Sequence, residues 1–429
     1  MKYLLITVSI LAVLSCQTEE KNVANGVGDT APEPAPDSVR LSPKVLQDKI
    51  LGMLLGSAIG DAMGAPTEMW SRREIMIDYG YVSDLDTMVR EPSAEGTWGF
   101  NLPAGGTTDD TRWKQLTVEY LLTQTPDTEL QPEAFANLII KRYQEGIKSL
   151  KNTEGFDPEP FEENTRRLAW LQEWAMVAKP FAENNLKEYS YALSQFYGGE
   201  MTCAGMLYTP TVGAFYPSKP HIAYNEAYRI SLFDLGYARD ISALTAAMVS
   251  EAMSPDATPE SVINVIRDVD PEGYFKSRLV GRTAYRLLRE ARSIVYEAQQ
   301  IKEEDIDKES IIVPKGYTDT LTLARTLKAY DLLDARNQDM PFHAGEIHLV
   351  NLTALLFCNF DFQETLAFVV NFGRDNDTTA AVTGAILGAY WGADQLPEQM
   401  KQQVLFTNQK LLDTDLQQIA TQLASYLSH

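Results

Sequence analysis

The chain has 429 residues, 45% of them hydrophobic, with 37 Lys and Arg against 59 Asp and Glu for a formal net charge of −22, and 3 cysteines. That apolar fraction builds a sizeable core and excludes wholesale disorder. The acidic balance argues against a nucleic-acid duplex as partner, since such affinity rests on clustered Lys and Arg, and three cysteines supply neither a disulfide framework nor a Cys-rich zinc site.

In chain order, Lys2 precedes the apolar run Tyr3 to Leu14, too short for a bilayer-spanning helix of about 20 residues. The run ends in Val13-Leu14-Ser15-Cys16, which resembles a bacterial lipobox. The likeness implies removal of a leader over 1–15 and a lipid on Cys16, anchoring the chain in the bacterial cell envelope through that lipid only, periplasmic or surface-exposed. An ordinary signal peptide with an incidental cysteine is the alternative. Residues 16–41 read as an acidic tether in which Pro32, Pro34 and Pro36 favour polyproline II. The longest uncharged stretch, Met201 to Ser218, holds Gly205, Pro210, Gly213 and Pro217 and does not read as a membrane span.

From residue 42 onward helical periodicity dominates. Ser42-Pro43 supplies an N-cap and a first-turn proline. Further helices are predicted at 108–124, 132–150, 161–178, 237–253, 259–268, 275–303, 346–358, 376–391 and 398–426, so 42–429 reads as one large all-α domain. Gly52, Gly56, Gly60 and Gly64 recur every four residues, as do Gly384, Gly388 and Gly392. Each costs about 1 kcal/mol in a helix interior, so the stripes imply close helix packing. A membrane-dimer reading fails because Asp61 interrupts the first run. Between 145 and 200, Phe161, Trp170, Trp174 and Phe181 read as core, with adenine stacking the alternative. Cys203 and Cys358 read as buried free thiols, although an oxidising envelope permits a disulfide between them. His221, His343 and His348 read as ordinary surface or core histidines.

Three acidic clusters carry chemistry: Gly60-Asp61-Ala62-Met63-Gly64-Ala65-Pro66-Thr67-Glu68, Gly105-Gly106-Thr107-Thr108-Asp109-Asp110-Thr111, and Gly373-Arg374-Asp375-Asn376-Asp377-Thr378-Thr379. The second and third open predicted helices. Adjacent helical residues point about 100° apart, so two carboxylates of one first turn grip different sides of a charge. Carboxylate and hydroxyl oxygens suit Mg²⁺, Mn²⁺ or Ca²⁺ better than zinc or copper. Helix N-capping explains one such cluster. Two clusters of paired aspartates are harder to explain that way, because four carboxylates without a cation repel.

Together the three motifs resemble those of the ADP-ribosylglycohydrolase family over residues 47–393. Asp61 and Glu68 stand in a Gly-Asp-Ala-x-Gly-x-x-x-Glu motif, Thr108 to Thr111 match Thr-Asp-Asp-Thr, and Asp375, Asp377 and Thr378 match Gly-x-Asp-x-Asp-Thr. The resemblance implies a compact orthogonal helical bundle with a central dinuclear magnesium site, Mn²⁺ serving as the other candidate ion. It implies Thr108, Asp109, Asp110, Asp375, Asp377 and Thr378 as metal ligands, with Glu68 beside them to gate or position water. Glu68 and Asp110 are the candidate catalytic pair, and Gly106, Gly198 and Gly199 the candidate substrate contacts. The implied reaction is hydrolysis at C1″ of an ADP-ribosyl or related ribosyl group through an oxocarbenium-like state. The partner would be an ADP-ribose-containing or nucleoside-like small molecule, or a modified protein. A nucleoside or nucleotide N-glycoside hydrolase and a non-catalytic ADP-ribose-binding lipoprotein are the alternatives. Tyr197-Gly198-Gly199-Glu200-Met201 lacks the asparagine of the family's Gly-Asn-Gly segment, and Ser250 to Pro255 lacks the Thr-His of arginine-directed relatives. Both departures leave the substrate open.

Overall fold

The computed structural model describes residues 41–88, 101–151, 168, 170–277, 279, 281–307, 311–314, 317 and 319–428. The leader, Cys16, the tether as far as residue 40, and Phe161 lie outside the described residues. Among those described, regular structure is helical, and β pairing is confined to three isolated bridges: Ser71 with Gly373, Met88 with Leu102, and Thr202 with His343.

Helix α1 (Pro43–Gly64) starts as its sequence dictates, with Pro43 in the first turn and the Ser42 hydroxyl accepting the Val45 N–H. After α2 (Arg72–Asp78) come α3 (Asp109–Leu121), α4 (Pro132–Lys151), α5 (Gln172–Ala182), α6 (Leu186–Gln195), α7 (Ala204–Phe215), α8 (Pro220–Ile230), α9 (Tyr237–Ala252), α10 (Pro259–Asp268) and α11 (Tyr274–Ser277). The C-terminal part adds α12 (Thr283–Gln299), α13 (Thr320–Asp334), α14 (Ala344–Phe357), α15 (Phe362–Phe372), α16 (Asn376–Trp391), α17 (Glu398–Leu411) and α18 (Leu416–Leu427).

Three predicted helices need correction. The one expected over 275–303 breaks before α12, where Gly281 takes a left-handed φ of 70° and Arg282 extends to bury its guanidinium on Asp240 at 2.7 Å. The one expected over 398–426 divides at Asp413, with φ of 54°, and Asp415 caps α18 by accepting the Gln418 N–H. The one expected over 161–178 shows, in its described part, helical Leu168, a turn at 170–171 and the helix Gln172–Ala182, which runs through Pro180. Proline costs about 3 kcal/mol inside a helix, and here Trp174, Ala175, Val177, Ala178 and Pro180 all bury on the same element. The buried stretch 204–215 is a helix too, despite Pro210. No helix among the described residues is long and apolar enough to cross a membrane.

The centre of the fold is the seam between α1 and α16. A Cβ on Gly56 would collide with the Gly384 carbonyl oxygen, one on Gly384 with the Gly56 oxygen, and one on Gly388 with the Gly52 oxygen. At the site end, a Cβ on Gly64 would strike the Asp377 backbone. The four-residue glycine periodicity therefore packs backbone on backbone and fixes the C-terminus of α1 against the N-terminus of α16. Helix α18 covers another side of α1, where Gln47 donates to Thr421 at 3.1 Å. Trp113, Trp174, Tyr208 and Phe233 form an aromatic block beside this seam, and Trp170 packs edge-on to Trp113 at 5.1 Å. Of the aromatics expected in the core, Trp174 is buried, and Trp170 and Phe181 pack half-buried against the core. Cys203 and Cys358 are free thiols.

Candidate functional site

The site forms where three helix ends meet: the C-terminus of α1 and the N-termini of α3 and α16. Asp61, on the last turn of α1, is fully buried. Its carboxylate accepts the Thr108 N–H at 2.9 Å, the Thr111 N–H at 3.1 Å and the Thr111 hydroxyl at 2.6 Å. It thus occupies the orphan donors of the first turn of α3 from outside the helix. Upstream, Gly105 has φ of 88° and its carbonyl accepts from Asn408, while Thr107 donates to the same side chain at 2.5 Å. A side chain on Gly106 would collide with Leu102, so Gly106 shapes the turn that delivers Thr108.

Thr108 donates to Asp377 at 3.3 Å, and Thr378 donates to Asp110 at 3.0 Å. The two predicted clusters therefore interlock, each with a threonine on the other's aspartate. Asp110, Asp375 and Asp377 are buried, and Asp109 is half-buried. After α1 a short turn over Ala65–Thr67 brings half-buried Glu68 alongside. Oxygens of Glu68, Asp375 and Asp377 lie within 4.8 Å of one another, a grouping that could hold a metal ion. The turn is held from the α16 side. Met69 donates to the Arg374 carbonyl and Arg374 to the Trp70 carbonyl, both at 2.7 Å, and Asn376 donates to Thr67 at 2.8 Å. Arg374, with φ of 66°, is fixed by a paired contact to Glu346 at 2.7 and 2.9 Å.

The electrostatics follow from crowding carboxylates out of water. Burial raises Asp109 to about 7, opposed by Arg112 and reinforced by Glu68 and Asp61. Burial and then Glu68 raise Asp375 to about 7. Asp110 and Asp377 are pushed well above the usual carboxylate range, again first by burial. Lys114 is the buried cation on this side, its Nζ donating to the carbonyls of Asp110 and Leu207 at 3.0 Å and lying 3.6 Å from the Asp110 carboxylate. Asp110 Oδ1 and Asp377 Oδ1 have no hydrogen-bond partner. An all-oxygen donor set with a surplus of negative charge and an orphaned buried oxygen fits a hard divalent cation.

All seven predicted acidic and hydroxyl residues thus come together. No hydrogen bond joins Gly199 to them. Gly199, with φ of 72°, turns against the Ser194 carbonyl and serves that tight turn. The segment that does reach the carboxylates is Cys203, whose Sγ lies 3.8 Å from Asp375 Oδ2. Tyr197, in a left-handed conformation with φ of 42°, packs its ring edge-on to Phe196 and Phe342, with centroids 4.6 and 6.0 Å apart. Sequence reasoning missed Asp61 as the clamp on α3, and also Lys114 and Cys203. Lys114 was findable, since it sits four residues after Asp110 on the helix face of Trp113 and Val118. Of the histidines, His343 caps α14 through Nδ1, His221 is exposed, and His348 is fully buried and held neutral, burial and Arg282 lowering it to about 3.

Fold and site together define an all-helical protein built round a buried acidic centre suited to a divalent ion. The chain belongs to the ADP-ribosylglycohydrolase family, whose sequence pattern matches residues 42–428. Human ADP-ribosylhydrolase ARH3 is 50% identical over 40 residues, 9% of this chain and 11% of that protein. An uncharacterized protein of Archaeoglobus fulgidus is 26% identical over 345 residues, 80% of this chain and 88% of that one. A solved structure, "ADP-ribosylglycohydrolase-related protein complex", superposes with a TM-score of 0.53 at 17% identity, covering 89% of this chain and 99% of that one, which shows the common fold.

Proposed function

We propose that this protein is a magnesium-dependent glycohydrolase that cleaves the C1″ glycosidic bond of an ADP-ribosyl or related ribosyl conjugate, free or protein-bound. The observation that carries the reading is the buried interlock of α3 and α16, in which Asp377 keeps an unpartnered oxygen beside Asp375 and Glu68. Thr108, Asp109, Asp110, Asp375, Asp377 and Thr378 would hold two Mg²⁺, with Mn²⁺ suited to the same donors. When bound, such ions supply positive charge that orients ribose hydroxyls and acidifies a water. The chain's own residues do the rest. Glu68, half-buried beside Asp375 and Asp377, is placed to orient the attacking water. The surrounding carboxylates favour positive charge developing on the ribose ring. The N-termini of α3 and α16 offset the repulsion between an acidic protein and a diphosphate. The lipid on Cys16 and the envelope location are part of this proposal, supported by the motif that ends at Cys16.

The test is to incubate purified protein with Mg²⁺ and a panel of ADP-ribosylated peptides, ADP-ribosyl small molecules and nucleosides, and to follow released ADP-ribose or ribose. Turnover is expected, lost on chelation, and reduced about 10²-fold or more in Asp110→Ala and Asp377→Ala, with thermal unfolding still cooperative. Full activity in either variant would refute the site. Tight ADP-ribose binding without any product would reduce the protein to a binder.

A further inference from the structure

We propose that Glu346 and Arg374 form a positioning pair that sets the turn carrying Glu68 against the turn carrying Asp375, and thereby the affinity of the centre for its ion. The inference rests on the metal-site reading above and extends it to Glu346, a residue outside all three acidic motifs.

Arg374 fills the open position of the Gly-x-Asp-x-Asp-Thr motif, at a point where the backbone disfavours a side chain. Gly373 and Arg374 are both left-handed, with φ of 83° and 66°. Glycine enters that region freely, whereas any other residue brings its Cβ too close to a carbonyl oxygen. The two residues face the Glu68 turn across the antiparallel bridge between Ser71 and Gly373. There the Met69 N–H donates to the Arg374 carbonyl and the Arg374 N–H to the Trp70 carbonyl, both at 2.7 Å. A Cβ on Gly373 would strike the same Trp70 oxygen. The direction of residue 374 therefore decides two acids at once: Asp375, the next residue, and Glu68, which precedes Met69 on the facing turn.

What holds Arg374 in this conformation is its own side chain. Nε donates to one Glu346 oxygen at 2.7 Å and Nη2 to the other at 2.9 Å, a two-pronged charge-assisted contact, and Nη2 also donates to the Gln338 carbonyl at 2.6 Å. Glu346 in turn accepts the Gln338 N–H at 2.6 Å, so the backbone of one residue closes the arrangement from both sides. The side chains are 4% exposed for Glu346 and 25% for Arg374, so salt screens the pair less than a surface contact. Glu346 lies in the first turn of α14, the end of a helix that favours a carboxylate. That turn is itself tied down, because the Ala344 N–H donates to the Met201 carbonyl at 2.7 Å. The acids grouped closely enough to hold an ion are Glu68, Asp375 and Asp377, without Glu346. Glu346 thus acts on the centre only through Arg374 and the turn it fixes.

Mn²⁺ is the probe, because the paramagnetic resonance of the free ion fades as it binds and reads affinity without turnover. The metal-stripped full chain is titrated beside Glu346→Ala, Arg374→Ala and Arg374→Gly. Both arginine variants lose the ion pair, but only glycine takes a left-handed φ without an anchor. Mn²⁺ affinity should fall roughly 10–100-fold in Glu346→Ala and Arg374→Ala, as for loss of other residues that orient metal ligands. Arg374→Gly should keep most of it. Cooperative thermal unfolding checks that each variant folds, and Glu346→Gln, which keeps one accepting oxygen and should show a smaller fall, replaces Glu346→Ala if that chain does not. Wild-type affinity in either alanine variant, or an equal loss in Arg374→Ala and Arg374→Gly, overturns the positioning role while leaving the oxygen site standing. A wild type that binds no Mn²⁺ overturns the metal-site reading and this inference with it.

Discussion

At the residue scale, the most consequential side chain is Asp61, whose carboxylate accepts from three donors of Thr108 and Thr111. Removing a buried acceptor leaves those donors unsatisfied, a cost larger than the bonds themselves contributed. Asp61→Ala should therefore destabilise the fold by roughly 2–4 kcal/mol, read as a lower urea midpoint, and should weaken metal binding because α3 loses its fixed start. Asp61→Asn keeps one accepting oxygen and should lose about half as much. A wild-type midpoint in Asp61→Ala would show that water replaces the carboxylate without cost. The motif positions of Asp61, Glu68, Asp109, Asp110, Asp375 and Asp377 were legible in the sequence because chemistry restricts them to one or two residue types. Cys203 was not, because an isolated cysteine in an apolar stretch looks the same whether it faces a core or a carboxylate. Nor did any spacing signal separate Gly199, which serves a turn, from Cys203 four positions later, which reaches Asp375.

At the element scale, the glycine seam carries the architecture. Gly→Ala in an exposed helix interior normally stabilises by about 1 kcal/mol. Here the added methyl of Gly56→Ala would meet the Gly384 carbonyl oxygen, and neither helix backbone can yield without moving the other. The sign should reverse, with a loss of about 3 kcal/mol or more, measured by denaturant unfolding. Metal affinity should fall as well, since the same seam sets Gly64 against Asp377. An Ala variant as stable as wild type would mean that the seam opens freely. Four-residue periodicity made this packing legible. The predicted bounds 259–268 and 376–391 coincide with α10 and α16. Helices α2, α6, α7, α8, α13 and α15 escaped. In α7 the whole surface is buried, so no polar face marks its period, and Pro210 reads as a breaker although tertiary packing overrides it.

At the scale of the whole molecule, the charge of −22 resolves into two populations. Most acids lie on the surface. A minority converge on one buried point, where raised carboxyls record the cost of their company. The proposed anchor concerns the entire chain: expressed in a bacterial host, the full sequence should partition with membranes and carry lipid on its N-terminal peptide by mass spectrometry. Cys16→Ser should release it to the soluble fraction. Unmodified, soluble wild-type protein would remove the anchor from the proposal.

The contact between Thr67 and Asn376 joins residues 309 positions apart in sequence. During synthesis the glycine face of α1 leaves the ribosome first and waits for a partner that is among the last segments made. A nascent chain thus lacks the α16 half of the proposed metal site until that helix emerges. A product that stops before α16 lacks Asp375, Asp377 and Thr378, so the activity proposed above should be absent from it, however well its earlier helices have formed.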